Sequence, residues 1–344
     1  MHDVTIARNQ TLGVGFRAAR CTMPRMGVVQ RVVVTGANGF LGRHLVTEIV
    51  RAGGQALGVV REAAPGQVSM AAVLADPALL AGTDVLVHAA AIRHRHGASP
   101  ASYQASNVDL VDALVRAATG RVGRFVHVSS VGVYGFPRDL PVNEHTPFAP
   151  RTLYSQTKIE AEKLVTSLAT KLGLPFTIVR PTIIYGAGDR NGMLDKLAGM
   201  LRAGRYLLVG SGENVLHHTY VDDVVRGIFT LAASPRAAND HFIVAGPETI
   251  TLRRLSELVA RQVGGKVPGV HVPLLAARAV AACFDVARYR GLAFVEREPP
   301  INNEKLDVMT VPIAFDPAKA RAAGFTPTVG YEEGLARTFA AARA

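Results

Sequence analysis

Tyr154 and Lys158 stand four residues apart in the run Tyr154-Ser155-Gln156-Thr157-Lys158. On a helix that spacing places both on one face, one turn apart. A free phenol titrates near 10, too high for a general acid/base at neutral pH. An ammonium about 5 Å away, at an effective dielectric of about 20, favours the phenolate by roughly 3 kcal/mol, or about two pKa units. The pair is therefore read as a proton-transfer group and the charge that tunes it. Ser130 closes a β-branched run and is placed to hydrogen-bond a substrate hydroxyl.

Upstream, Thr35-Gly36-Ala37-Asn38-Gly39-Phe40-Leu41-Gly42 spaces three glycines as G-x-x-G-x-x-G. Glycines between a strand and a helix allow a tight turn and let backbone approach a pyrophosphate. The helix N-terminus adds amide donors and a positive dipole end. Past the second strand come Arg61 and Glu62. A guanidinium there suits a 2′-phosphate and favours NADP, whereas Glu62 can reach the ribose hydroxyls and keeps NAD open. Arg93-His94-Arg95-His96 follows the fourth strand, at the strand end where ligands bind in open sheets. Arg93, His94 and Arg95 are read as partners for an anionic substrate group. No metal is expected, since no acid or cysteine cluster accompanies the histidines.

These residues need a frame to position them. Apolar runs at 30–35, 56–60, 68–74, 84–91, 124–129 and 176–180 alternate with helical patterns at 41–50, 103–118 and 155–172. Strands that are apolar nearly throughout, separated by helices, mean a parallel sheet covered on both faces. The expectation is an α/β, Rossmann-type, doubly wound parallel sheet over 27–180, with a smaller C-terminal substrate-binding lobe over 181–344. In the lobe, 207–209 and 242–245 read as strands and 221–233 and 252–263 as helices, with 242–245 free to return to the main sheet.

Seven stretches together resemble the extended short-chain dehydrogenase/reductases of the NAD(P)-dependent epimerase/dehydratase family. They are TGANGFLG (35–42), DVLVHAAA (84–91), NV (107–108), FVHVSSVGVYG (125–135), YSQTK (154–158), RPTIIYGAGD (180–189) and HTYVDDVVRGI (218–228). The resemblance implies that Gly36, Gly39, Phe40, Leu41 and Gly42 line the pyrophosphate, and that Ala89, Ala90 and Ala91 flank the cofactor. It also implies that Tyr154 and Lys158 hold the nicotinamide ribose, that Pro181 sits near the nicotinamide, and that Ser130 is the catalytic serine. The family's adenine-contacting Asp-Leu pair is missing, the aligned stretch reading Val73-Leu74-Ala75-Asp76.

The shared chemistry is hydride transfer at a carbinol carbon. Val131-Gly132 replace the Asp-Glu of sugar 4,6-dehydratases, and no cysteine follows Ser130 as in deoxysugar epimerase-reductases. Epimerisation and plain alcohol oxidation or ketone reduction remain. The leading expectation is an oxidoreductase/epimerase acting on a nucleotide sugar. Against it, Leu216 stands where such members often carry a pyrophosphate-binding Arg, and Thr219-Tyr220-Val221 also resembles the hydroxysteroid and flavanonol-reductase branches. His218 is a candidate substrate contact. A non-catalytic NAD(P)-sensing protein, which would lose the Tyr-Lys pair, is the third reading. Relatives pair through helices equivalent to 103–118 and 155–172, so a homodimer is expected.

Composition agrees with a globular enzyme. The 344 residues are 49% apolar and 19% charged, which excludes a disordered chain. The net charge of +11 is scattered, and no aromatic-basic motif marks a nucleic-acid partner. Two cysteines, Cys21 and Cys283, cannot form a disulfide framework and suit a reducing, cytoplasmic setting. No apolar run reaches the roughly 20 residues of a membrane span. The nearest, 272–286, is interrupted by Pro273, Arg278 and Asp285 and reads as a buried or lid helix. Residues 1–26, arginine-rich and acid-poor, read as a disordered leader, an over-long start or an organellar transit peptide.

Overall fold

The computed structural model describes residues 31–93, 97–190, 192–269, 271–289 and 303–340. The strands are β1 (Arg31–Thr35), β2 (Gln55–Val60), β3 (Gln67–Ser69), β4 (Thr83–His88), β5 (Val122–Val128), β6 (Phe176–Pro181), β7 (Ile183–Tyr185), β8 (Leu208–Val209), β9 (Val215–Leu216), β10 (His218–Tyr220), β11 (Asp240–Val244), β12 (Ile250–Thr251) and β13 (His271–Val272). Seven of them form one sheet in the order β3-β2-β1-β4-β5-β6-β11, every neighbouring pair parallel. The strand order reverses beside β1, which opens a crevice at the carboxyl ends of β1 and β4.

The helices are α1 (Phe40–Arg51), α2 (Met70–Ala75), α3 (Pro100–Gln104), α4 (Leu110–Ala118), α5 (Leu153–Leu172), α6 (Met193–Arg202), α7 (Val221–Ala233), α8 (Leu252–Val263), α9 (Leu274–Tyr289), α10 (Asn303–Thr310), α11 (Ala318–Ala322) and α12 (Tyr331–Ala340). Alternate strand residues feed two cores. Val32, Val34, Val85 and Val126 pack against α1 and α7, through Leu45, Ile49 and Ile228. Val33, Leu86, Phe125 and Ile178 face α4 and α5, through Leu114 and Val165. A third core in the lobe joins α6, α8 and α12 through Leu197, Leu255 and Leu335.

The helices 221–233 and 252–263 form with the expected ends, and β11 returns to the main sheet beside β6. Other expectations need correction. The run 68–74 is strand only to Ser69, whose side chain accepts a hydrogen bond from the Ala72 amide and starts α2. Pairing with β2 ends at Ser69, and Met70-Ala71-Ala72-Val73-Leu74 then follows its helical preference. The strand 84–91 stops at His88, because the chain bends and the Ala90 amide binds Thr35 Oγ1 at 3.3 Å. The helix expected at 103 begins at Pro100 behind a Ser99 cap and runs into α4 through one π-turn at Ala105–Asp109. In α5, Ile159 and Val165 are buried, and Leu164, Leu168 and Leu172 pack against the sheet-side core, so this stripe faces the sheet. The 272–286 segment forms α9 but is not a buried helix, since Leu275, Val280 and Val286 are exposed. No helix among the described residues is long and apolar enough to cross a membrane. Cys283 is an exposed free thiol. The segment 1–26 and Cys21 lie outside the described residues.

Candidate active site

The glycine turn leaves β1 at Gly36, whose amide binds Val59 O of β2 at 2.9 Å. Gly36 has φ +71°, and a Cβ there would meet the Ala90 backbone at 2.9 Å. A Cβ on Gly42 would press into Gly36 O and lie 2.8 Å from Ala37 Cα. Helix α1 starts behind Gly39, which has no side chain to cap it. The first-turn amides have no intrahelical acceptors and, with the helix dipole, favour an anion. A turn that excludes Cβ atoms and presents amides fits a dinucleotide pyrophosphate. Arg61 and Glu62 are exposed one and two residues past β2, the strand to which the turn is bonded. Phe40 and Leu41 open α1, and Ala89–Ala91 border the turn from the β4 side. Pro181 is buried at the end of β6.

Across the crevice, α5 is fixed at its start by a reciprocal cap. Thr152 Oγ1 accepts from the Ser155 amide at 3.1 Å, and Ser155 Oγ accepts from the Thr152 amide at 3.0 Å. This locks Tyr154 in the first turn, with Lys158 one turn on. Ser130 follows β5, and its Oγ accepts from the Gly132 amide at 3.1 Å, opening a tight turn over Val131–Tyr134. Its side chain also hydrogen-bonds Tyr154. The structure therefore brings Ser130, Tyr154 and Lys158 together. Lys158 is buried; its Nζ donates to Val128 O at 2.7 Å and lies 5.9 Å from the Tyr154 ring centroid.

The electrostatics differ from expectation. Burial pushes the Tyr154 phenol above its usual value, opposed first by the Arg93 charge and then by the Ser130 hydrogen bond. Burial also lowers Lys158 to about 8, with Glu162 pulling the other way. The ammonium also donates to Val128 O, and the net shift of the phenol is upward, because burial outweighs the charges around it. The Arg93 charge acts on Tyr154 and on half-buried Asp189, whose carboxyl burial raises and Arg93 opposes. The Arg93 backbone is held by Tyr103, whose hydroxyl donates to Arg93 O at 3.1 Å. His94 and Arg95 lie outside the described residues.

His218, expected at the substrate, is buried in the lobe. Tyr331 Oη accepts from the His218 amide at 2.8 Å, and the ring Nδ1 meets the same hydroxyl at 3.0 Å. Burial lowers this imidazole to about 3, so it stays neutral. It ties β10 to α12 and is a structural contact.

Sequence reasoning missed three groups. Asn107, in the π-turn, accepts from the Ile92 amide at 2.8 Å and donates to Ile92 O and Thr157 Oγ1 at 3.0 Å each, which clamps the Arg93 segment to α5. Its place in the Asn107-Val108 motif was the available signal. Glu162 and Arg180 form a buried ion pair, and Arg180 also donates to Tyr134 Oη at 2.5 Å. Glu162 follows Lys158 by one helical turn, a spacing that carries this signal. His88 and His127 stack on adjacent strands, ring centroids 5.6 Å apart, and burial with the Lys158 charge keeps both neutral.

The NAD dependent epimerase/dehydratase family model matches residues 32–246. A 4-hydroxy-2-methyl-3-oxo-4-farnesyl-3,4-dihydroquinoline-1-oxide ketoreductase of Stigmatella aurantiaca is 29% identical, the match covering 89% of this chain and 94% of the relative. A 2-alkyl-3-oxoalkanoate reductase of Stenotrophomonas maltophilia is 27% identical over 91% of this chain and 100% of the relative. An Escherichia coli N-acetyl-alpha-D-glucosaminyl-diphospho-ditrans,octacis-undecaprenol 4-epimerase is 26% identical over 75% and 77%. The fold is similar to that of UDP-glucuronic acid 4-epimerase from Bacillus cereus in complex with NAD, with a TM-score of 0.72 at 19% identity over 91% of this chain and 99% of that one. With the family model spanning the glycine turn, Ser130, the Tyr154–Lys158 pair and the return of β11, the chain belongs to the NAD dependent epimerase/dehydratase family.

Proposed function

We propose that this enzyme exchanges a hydride between a nicotinamide dinucleotide and a carbinol or carbonyl carbon, with Tyr154 as the proton-transfer group. The observation that carries the reading is the convergence of the Cβ-excluding glycine turn with Ser130, Tyr154 and Lys158 at the carboxyl ends of one sheet. The bound dinucleotide supplies or accepts the hydride. Its pyrophosphate would rest on Gly36–Gly42 and its nicotinamide ribose on Tyr154 and Lys158. Ser130 orients the substrate oxygen. Tyr154, raised by burial, is protonated at neutral pH, which is the form that donates to the oxygen as a ketone is reduced. Lys158, charged below about 8, and Arg93 stabilise the phenolate left behind. A non-catalytic dinucleotide sensor has no use for this pair.

Arg61, exposed beside the turn, favours NADP over NAD. For the substrate, a nucleotide sugar is the family-wide expectation. A second reading, reduction of a ketone on an apolar substrate, is favoured by Leu216, buried at 2% exposure in the place of the pyrophosphate-binding Arg. Two of the relatives that match about nine-tenths of the chain are also named as reductases.

Denaturing the purified protein and identifying what it releases separates these readings. Retained NAD, reoxidised in each cycle, supports an epimerase, and reversible NADPH binding with turnover of a 3-oxo ester or steroid ketone supports a reductase. Tyr154→Phe should cut turnover by about 10²–10⁴ while dinucleotide affinity stays within about twofold. Near-normal turnover in that variant rejects the mechanism.

A further inference from the structure

Helix α9 is apolar on two sides, and the described residues cover only one of them. Ala277 and Ala281 are buried in a small core with Val209 and Leu306. The opposite side carries Leu275, Ala276, Ala279, Val280, Ala282, Cys283 and Val286, all exposed, with Leu275 at 84%. At 100° per residue these positions form one continuous stripe without a charged side chain. Helices that are hydrophobic all round are ordinarily buried. Among the described side chains near this helix, Asp307 pairs with Arg151 and Arg278, and Asp285 accepts from Asn303.

Basic residues stand in the segments beside the start of α9. Segments 201–210 and 265–272 run side by side: His271 pairs with Leu208, the Gly210 amide binds Val272 O at 2.9 Å, and a Cβ on Gly265 would lie 3.0 Å from Leu201. Arg202, Arg205 and Lys266 are exposed there, and Leu207 is 59% exposed beside them. Residues 199–212 and 264–284 contain no Asp or Glu.

We propose that α9 and these neighbouring cations form a docking surface for an anionic lipid bilayer. The helix lies in the interface plane with Leu275, Val280 and Val286 among the acyl chains, and Leu207 enters beside them. Arg202, Arg205 and Lys266 meet the lipid phosphates. An exposed apolar stripe with cations nearby is the pattern of an interfacial helix, and each cation strengthens binding to an anionic surface about fivefold. Neither the reaction nor the substrate class enters this inference.

The test is co-sedimentation of the full-length protein with vesicles of phosphatidylcholine alone or with about a third phosphatidylglycerol. The wild type should sediment with the anionic vesicles and much less with the neutral ones. Leu275→Asp/Val280→Asp should weaken that binding at least tenfold, and Arg202→Ala/Arg205→Ala about 25-fold. Unchanged circular dichroism and dinucleotide affinity show that the variants fold. Wild-type protein left in the supernatant with both vesicles overturns the proposal, as does equal sedimentation of wild type and variants. A dimer of the wild type that Leu275→Asp/Val280→Asp dissociates also overturns it, because the face then belongs to a second copy.

Discussion

Replacing Glu162 by Gln tests the buried charge network behind the site. The Glu162 and Arg180 side chains are 4% and 3% exposed, and three contacts of 2.5, 3.0 and 3.2 Å join them. Removing the carboxylate charge strands a buried guanidinium, which costs about 3–5 kcal/mol. That is a large part of the roughly 5–15 kcal/mol that stabilises a typical domain. Arg180 also donates to Tyr134 Oη, and burial pushes that phenol up to about 12, so it remains a neutral partner. Replacing the whole set as Glu162→Leu/Arg180→Met/Tyr134→Phe removes every polar group together. It should recover most of the loss, since apolar replacement of a buried pair is often neutral. Urea unfolding with linear extrapolation measures both. A loss below about 1 kcal/mol in Glu162→Gln, or a triple variant weaker than the single, refutes the claim that charge pairing rather than shape matters here. Glu162 is also the charge that holds Lys158 up, so the alkaline fall in activity should move to lower pH in Glu162→Gln.

Three further outcomes follow from the same geometry. Gly42→Ala places a methyl against Gly36 O, a backbone atom that cannot swing aside, so α1 must shift, and the calorimetric Kd for the dinucleotide should rise at least about tenfold. Arg61→Ala should lower kcat/KM with NADPH relative to NADH by roughly 10–100-fold, the worth of a charge-assisted hydrogen bond; an unchanged ratio removes Arg61 from the 2′-phosphate site. Lys158 titrates at about 8 in the folded protein and near 10.5 when unfolded, so the unfolded chain binds more protons between those values. Stability should therefore rise with pH across that window by about 3 kcal/mol. Lys158→Met, compared by urea unfolding at pH 8 and 10, should flatten the rise.

The doubly wound sheet was legible because its strands are short apolar runs between helices with clear ends. Thr251 and Gly264 bracket α8 as cap residues, and both ends of that helix were readable. The run 68–74 was not, because a short apolar segment has no period of its own. Its fate was decided by how far β2 extends alongside it and by the cap at Ser69. In the site, Ser130, Tyr154 and Lys158 were legible as types and spacings. That the Arg93 charge also acts on the phenol was not. Arg93 reaches Tyr154 because Asn107 clamps Ile92, a contact between residues fifteen apart that only tertiary packing makes. His218 shows the opposite failure: a motif position taken for a ligand contact is a neutral core residue bonded to Tyr331, which lies 113 residues away.

One consequence of burial ties the site together. In water a phenol and an ammonium titrate within about half a unit of each other, so neither order of proton loss is fixed. Here the same low-dielectric surroundings move them apart, Tyr154 upward and Lys158 down to about 8. At neutral pH the resting pair is a protonated phenol beside a charged ammonium, and rising pH takes the proton from the lysine first. That order is suited to giving a proton to a reduced carbonyl, where the phenolate forms only as charge develops and finds Lys158 and Arg93 already positive. In the reverse direction, the phenol must first lose a proton that burial holds, so alcohol oxidation calls for higher pH, where Lys158 is losing its charge. For the mechanism proposed above, this order of proton loss suits Tyr154 as the donor near neutrality. The feature that sets this order is the depth at which α5 seats its first two turns against the ends of β5, the placement that puts Lys158 Nζ 2.7 Å from Val128 O.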